Sequence, residues 1–178
     1  NETPSGFLFR LGLHRPELRA WAMYDWANSA FLCTIITAVY PIYFAQVSAS
    51  GLEPSEATTV FATATTVALS VIAVLAPILG ALADHYAVRK RFLAGFLGLG
   101  VLSTAGLAWT GSGDWKLGAG LFILANIGAS GSFVFYDSLL PHVARPSEVD
   151  RVSTAGYALG YLGGGLLLAV NLFWIMKP

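Results

Sequence analysis

Residues 57–83 read ATTVFATATTVALSVIAVLAPILGALA, without a single Asp, Glu, Lys or Arg. A helix crosses the hydrocarbon of a bilayer with about 20 apolar residues, at about 1.5 Å of rise each, and this run is longer than that. Its apolar residues do not alternate, so it does not read as a barrel strand, whose segments alternate over about 10 residues. Working outward, residues 26–52 and 92–113 are equally free of charge, 117–140 hold only Asp137 near their end, and 152–176 hold none. A buried helix of a soluble core explains any one such run, but not five in succession. The spacing predicts five spans, over about 26–48, 57–83, 92–111, 117–140 and 152–176, in an all-α membrane protein.

Composition agrees. Of 178 residues, 56% are hydrophobic and 11% charged, and mean hydropathy is +0.65, whereas a soluble domain carries about 25% charged residues. Ten Lys and Arg balance ten Asp and Glu, which removes a nucleic-acid partner argued from net charge. Cys33 is the single cysteine, and His14, His85 and His142 lie far apart, so no disulfide, metal site or cofactor is expected.

The cations set a direction. Arg10, Arg15 and Arg19 precede the first span, Arg89, Lys90 and Arg91 follow the second, and Arg145 and Arg151 follow the fourth; the opposite side holds only Lys116 and Lys177. Basic loops stay inside, so residues 1–22 are expected to form a cytoplasmic N-terminal segment and 23–178 a partial transmembrane bundle. The stretch Phe7-Leu8-Phe9-Arg10-Leu11-Gly12-Leu13 reads either as a short surface helix or as a loose tail. The chain starts at Asn1, stops at Pro178 directly after a span, and has an odd number of helices. It is therefore expected to be the N-terminal piece of a longer polypeptide whose C-terminal half completes it.

Polar residues inside a membrane need a partner or a wet cavity. At about 100° per residue, Thr59, Thr63, Thr66 and Ser70 share one face, Asn126, Ser130 and Asp137 another, and Ser153, Tyr157, Gly160, Gly164 and Asn171 a third. These faces either line an aqueous pathway or serve as ordinary contacts between membrane helices. Gly156, Gly160 and Gly164 repeat every four residues, a spacing that lets a neighbouring helix approach closely. Pro41 and Pro77 fall inside spans and can bend them. Asp25 opens the first span and Asp137 closes the fourth. Because those spans run in opposite directions, both carboxylates lie near the cytoplasmic boundary, available for structural pairing, gating or proton coupling.

The segment Gly80-Ala-Leu-Ala-Asp84-His-Tyr-Ala-Val-Arg89-Lys90-Arg91 puts three cations at the start of a helix, where they oppose its dipole; topology, anionic lipid or pairing with acids are the purposes open to them. This segment resembles the loop between helices two and three of the major facilitator superfamily, roughly G-x-L-A-D-x-x-G-R-[RK]-x-[RK]. Gly80, Leu82, Ala83, Asp84, Arg89 and Arg91 match, while Ala87 replaces the second glycine and Val88 the arginine after it. The resemblance implies a cytoplasmic latch: Asp84 faces a helix of the other half, and a loop base, Arg89 being nearest, pairs with an acid ending the fourth helix, the place of Asp137. Residues 23–31, 136–141 and 153–161 are similar to the vacuole-effluxer-like branch of that superfamily, whose bacterial members are called unknown major facilitators. The similarity runs from about Arg19 to Ile175.

That family implies most of the N-terminal six-helix half of a secondary active transporter of small polar solutes, amino acids among them, working by alternating access. Asn28, Asn126, Ser130 and Tyr157 are the expected solute-facing residues. Gly80, Asp84, Arg89, Arg91 and Asp137 form the latch, and Asp25 or Asp137 carries any coupling proton. The expected partners are the solute, the bilayer and the missing half. Two other readings remain open on the sequence. One is a membrane scaffold or assembly subunit without transport. The other is an intramembrane serine protease, because Gly128-Ala-Ser130-Gly131 matches G-x-S-G, although no later span supplies the histidine a serine nucleophile needs.

Overall fold

The computed structural model describes residues 6–85 and 88–176; Ala87, Lys177 and both chain ends lie outside the described residues. A four-residue helix, α1 (Phe7–Arg10), precedes five long ones: α2 (Pro16–Ser48), α3 (Pro54–His85), α4 (Arg89–Trp109, its last residues 3₁₀), α5 (Trp115–Val143) and α6 (Val149–Ile175). All five are long and apolar enough to cross a membrane, and there is no strand among the described residues. The chain is a multi-pass, all-α membrane protein.

The helices outrun the apolar stretches that signal them. α2 starts at Pro16, ten residues before the first span expected from the sequence, because Pro16 occupies the opening position and Glu17 the first turn, both favourable at a helix start. α2 is not a uniform α-helix. It widens to a π-helix over Leu32–Val39 and again over Phe44–Ser48. Thr37 Oγ1 donates to the carbonyl five residues back, that of Leu32, at 3.0 Å, and Pro41 has no N–H to offer a preceding carbonyl. Such widened turns recur at functional sites.

Two compact units form, one of residues 1–38 with 138–178 and one of 39–137. In the first, α6 lies along the first part of α2, and its glycines meet that helix in register. A Cβ at Gly156 would sit 2.5 Å from the Trp21 ring, one at Gly160 against the Asp25 carboxylate, and one at Gly164 2.7 Å from Cys33 Sγ. Gly164 also meets the Ser29 carbonyl, at 3.1 Å, so partners advance in the same direction on both helices and the two run parallel, with glycine replacing side-chain bulk at each crossing. Gly163 takes the Trp26 ring in the same way, at 2.8 Å.

In the second unit α4 and α5 run antiparallel and nearly touch. A Cβ at Gly128 would collide with the backbone of Gly100, and one at Gly131 with the Phe96 ring. Phe135 stacks on Phe92 at 5.1 Å and on Phe96 at 5.7 Å. Towards the other end of the unit Tyr40, Phe44, Phe61 and Phe122 form one aromatic cluster, with Tyr40 stacked on Phe122 at 5.1 Å. Tyr43 donates to the Thr110 carbonyl, and Ser50 and Ser112 share a hydrogen bond of 2.8 Å. These bonds tie the α2–α3 connection to the α4–α5 connection.

Candidate functional site

Polar side chains are buried inside these apolar helices. In the first unit they are Asp25, Asn28 and Thr34, at 2%, 7% and 3% exposure. In the second, Ser48, Ser103, Asn126 and Ser132 are buried as well. A carboxylate at the bilayer centre costs about 2.5–3.5 kcal/mol on insertion scales, and less near the boundary. Asp25 has its carboxylate directly against Gly160, with Ser29 Oγ lying 2.8 Å from where a Gly160 Cβ would be. The glycine therefore makes the space the carboxylate occupies. Asn28 Nδ2 and Thr34 Oγ1 have no hydrogen-bond partner among the described residues. Hydrogen-bonding capacity held out of water and left unused is what a solute or a water would satisfy.

The expected solute-facing residues differ in setting. Asn28 and Asn126 are buried, Ser130 is half-buried, and Tyr157 is 49% exposed. Asn28 and Tyr157 belong to the first unit, Asn126 and Ser130 to the second. On α3 the side facing the unit is made of Ala57, Ala64, Ala68 and Ile72, which are buried. Thr59, Thr63, Thr66 and Ser70 are exposed, and Thr59 and Thr66 donate to carbonyls four residues back in their own helix, at 2.8 and 2.9 Å. With Thr58, Ala62 and Val67, the three threonines line a shallow open groove of about 360 Å³.

At the α3–α4 turn Arg89 Nε donates to Asp84 Oδ1 at 2.7 Å. The pair is local, spanning the two helix ends. Asp84 stays 62% exposed on its side chain, Arg91 and Asp137 are exposed, and open space surrounds Gly80. The glycines of the G-x-S-G match are taken up in packing, Gly128 on Gly100 and Gly131 on Phe96, which accounts for them without any chemistry at Ser130.

A second cluster at the α5–α6 connection was not legible in the sequence. Arg15 Nη2 donates both to Glu148 Oε2, at 2.8 Å, and to the Val143 carbonyl at the end of α5, at 2.9 Å. His14 Nε2 lies 3.5 Å from the other Glu148 oxygen, and the Phe9 ring lies tilted against the His14 ring, centroids 5.0 Å apart. The chain reaches this position through Gly12, at φ +73°, where a Cβ would press at 3.2 Å on both Arg151 and Val152. The backbone N–H of Arg145 donates to the Glu148 carboxylate and holds its pKa below the ordinary value; the charges of Arg15, Arg145 and His14 add to this against the opposing effect of burial. The segment before α2 is thus stapled to the loop between α5 and α6.

Comparison with known proteins places this arrangement. Residues 51–150 match the family model described as vacuole effluxer Atg22 like. The chain is also 35% identical over 158 residues to YxiO of Bacillus subtilis (strain 168), described as an uncharacterized MFS-type transporter. That match covers 88% of this chain and 37% of the relative, so the chain spans well under half the length of the curated protein it matches. No solved structure matches. With more than half of its length matched, the chain belongs to the vacuole effluxer Atg22-like family.

Proposed function

We propose that this chain is the N-terminal part of a secondary active transporter that moves small polar solutes, amino acids among them, by alternating access between two six-helix halves. The observation that carries the reading is the burial of Asp25, Asn28 and Asn126 inside helices apolar enough to cross a membrane. Amide and hydroxyl groups at Asn28, Asn126, Ser130 and Tyr157 orient the solute by hydrogen bonds. Asp25, seated against Gly160, and Asp137, at the cytoplasmic end of α5, are the carboxylates that take up a coupling proton. The Asp84–Arg89 pair belongs to the latch that closes the cytoplasmic side, with Gly80, Arg91 and Asp137 around it. In this reading residues 1–22 are cytoplasmic and the remaining half of the polypeptide completes the pathway.

The test uses the full-length protein in proteoliposomes, with radiolabelled amino acids supplied under an imposed pH gradient. Asn126→Ala and Asn28→Ala are expected to cut uptake at least about tenfold, the effect of losing roughly 1.4 kcal/mol, with the protein still folded. Asp25→Asn or Asp137→Asn is expected to abolish the dependence on the gradient. Well-folded variants that all transport like the parent would make these residues structural and end the reading.

A further inference from the structure

The outer face of α4 carries a shallow, open groove of about 450 Å³ lined by Val88, Arg91, Phe92, Gly95, Phe96 and Leu99. Its floor is preformed, because Phe92 and Phe96 are held from behind by stacking on Phe135. Gly95 opens it: nothing lies within 4 Å of where its Cβ would be. One end is charged and the rest is apolar. Arg89 is engaged with Asp84, whereas Arg91 is exposed and forms no ion pair among the described residues. A cation in the first turn of a helix opposes the dipole, so an anion placed beside Arg91 is favourable.

We infer that this groove seats one anionic phospholipid of the cytoplasmic leaflet, its phosphate on Arg91 and an acyl chain along Gly95, Phe96 and Leu99. The dimensions match. Eight residues of helix separate Arg91 from Leu99, about 12 Å at 1.5 Å each, against about 15 Å for the hydrocarbon of one leaflet. Basic pockets at the cytoplasmic ends of membrane helices are suited to acidic headgroups. A continuation of this polypeptide or a second copy of it seated on the apolar lining is the alternative that crosslinks to protein would reveal. The inference rests on the cytoplasmic placement of residues 89–91 proposed above.

The experiment replaces Leu99 in the full-length protein with the photo-crosslinker p-benzoylphenylalanine, in nanodiscs of phosphatidylglycerol or of phosphatidylcholine, and reads adducts by intact mass. One phosphatidylglycerol adduct is expected, with little from phosphatidylcholine. Arg91→Gln is expected to lower it about fivefold, the usual contribution of one interfacial base. Gly95→Trp, which puts a bulky ring into the groove from a position where a Cβ meets nothing within 4 Å, should remove it, whereas Gly120→Leu, also in open space, should leave it unchanged. Equal adducts from both lipids, adducts indifferent to Arg91→Gln and Gly95→Trp, or crosslinks to protein instead of lipid would overturn the inference while leaving the topology intact. Reaction of a Lys90→Cys variant with an impermeant reagent outside the cell would overturn both together.

Discussion

At the scale of single residues, Glu148 gathers partners from two parts of the chain. It accepts from the Arg145 backbone and from Arg15, and faces His14. Its lowered pKa fixes the sign of a pH effect. A carboxyl that ionises more readily folded than unfolded adds stability that is complete above its ordinary 4.5 and is lost as pH falls through the lower folded value. The staple between the N-terminal segment and the α5–α6 loop should therefore hold at neutral pH and release in acid. Thermal melting of the solubilised protein as a function of pH checks this. Glu148→Gln should lower the melting temperature at pH 7 and flatten the acid limb of the curve; an unchanged limb would show that the staple adds nothing to stability. None of this was readable beforehand, because Arg15 and Glu148 are 133 residues apart and in the sequence each is simply one charge near a membrane boundary.

At the scale of helices, the seam between α2 and α6 makes a sharper prediction. Trp21 is 5% exposed and cannot retreat from a new methyl group at Gly156. Gly156→Ala and Gly160→Ala should each destabilise by about 1–3 kcal/mol, the cost of overpacking a filled interior. Gly165, on the same helix, has nothing within 4 Å, so Gly165→Ala should be neutral or gain about 0.5–1 kcal/mol from helix propensity. Denaturation in detergent, read by loss of tryptophan fluorescence, separates the three. Equal effects at 156 and 165 would contradict the parallel register of the seam. The sequence carried much of this. Four-residue glycine spacing identifies a close-packing face on its own, and charge-free runs locate five helices because a membrane tolerates so few charges. Which helix fills the face is a tertiary fact and leaves no local trace. The π-helical turns of α2 were invisible for a related reason: a shift of hydrogen bonds from the fourth to the fifth residue back changes neither composition nor, over two turns, the apolar pattern. The Gly100–Gly128 contact leaves no local trace because its two glycines lie in different helices.

For the whole molecule the decisive quantity is direction across the bilayer. Ser50 and Ser112 share a hydrogen bond, so the α2–α3 and α4–α5 connections emerge at one end of their unit. The Asp84–Arg89 pair joins the opposite ends of α3 and α4. The first end carries Glu53, Glu56 and Asp114 with Lys116, and the second carries Arg89, Lys90 and Arg91. Cytoplasmic ends hold the excess of Lys and Arg, and the proposed orientation puts the second end in the cytoplasm on that ground. In a Cys33→Ser background of the full-length protein, single cysteines at Glu53 and Ser112 should therefore react with an impermeant maleimide on intact cells. Cysteines at Lys90 and Pro146 should react only after the membrane is opened. Because Glu53 and Lys90 flank the same 32-residue helix, matching reactivity from the two would mean that α3 does not cross the bilayer, and neither the latch nor alternating access could then be built on it.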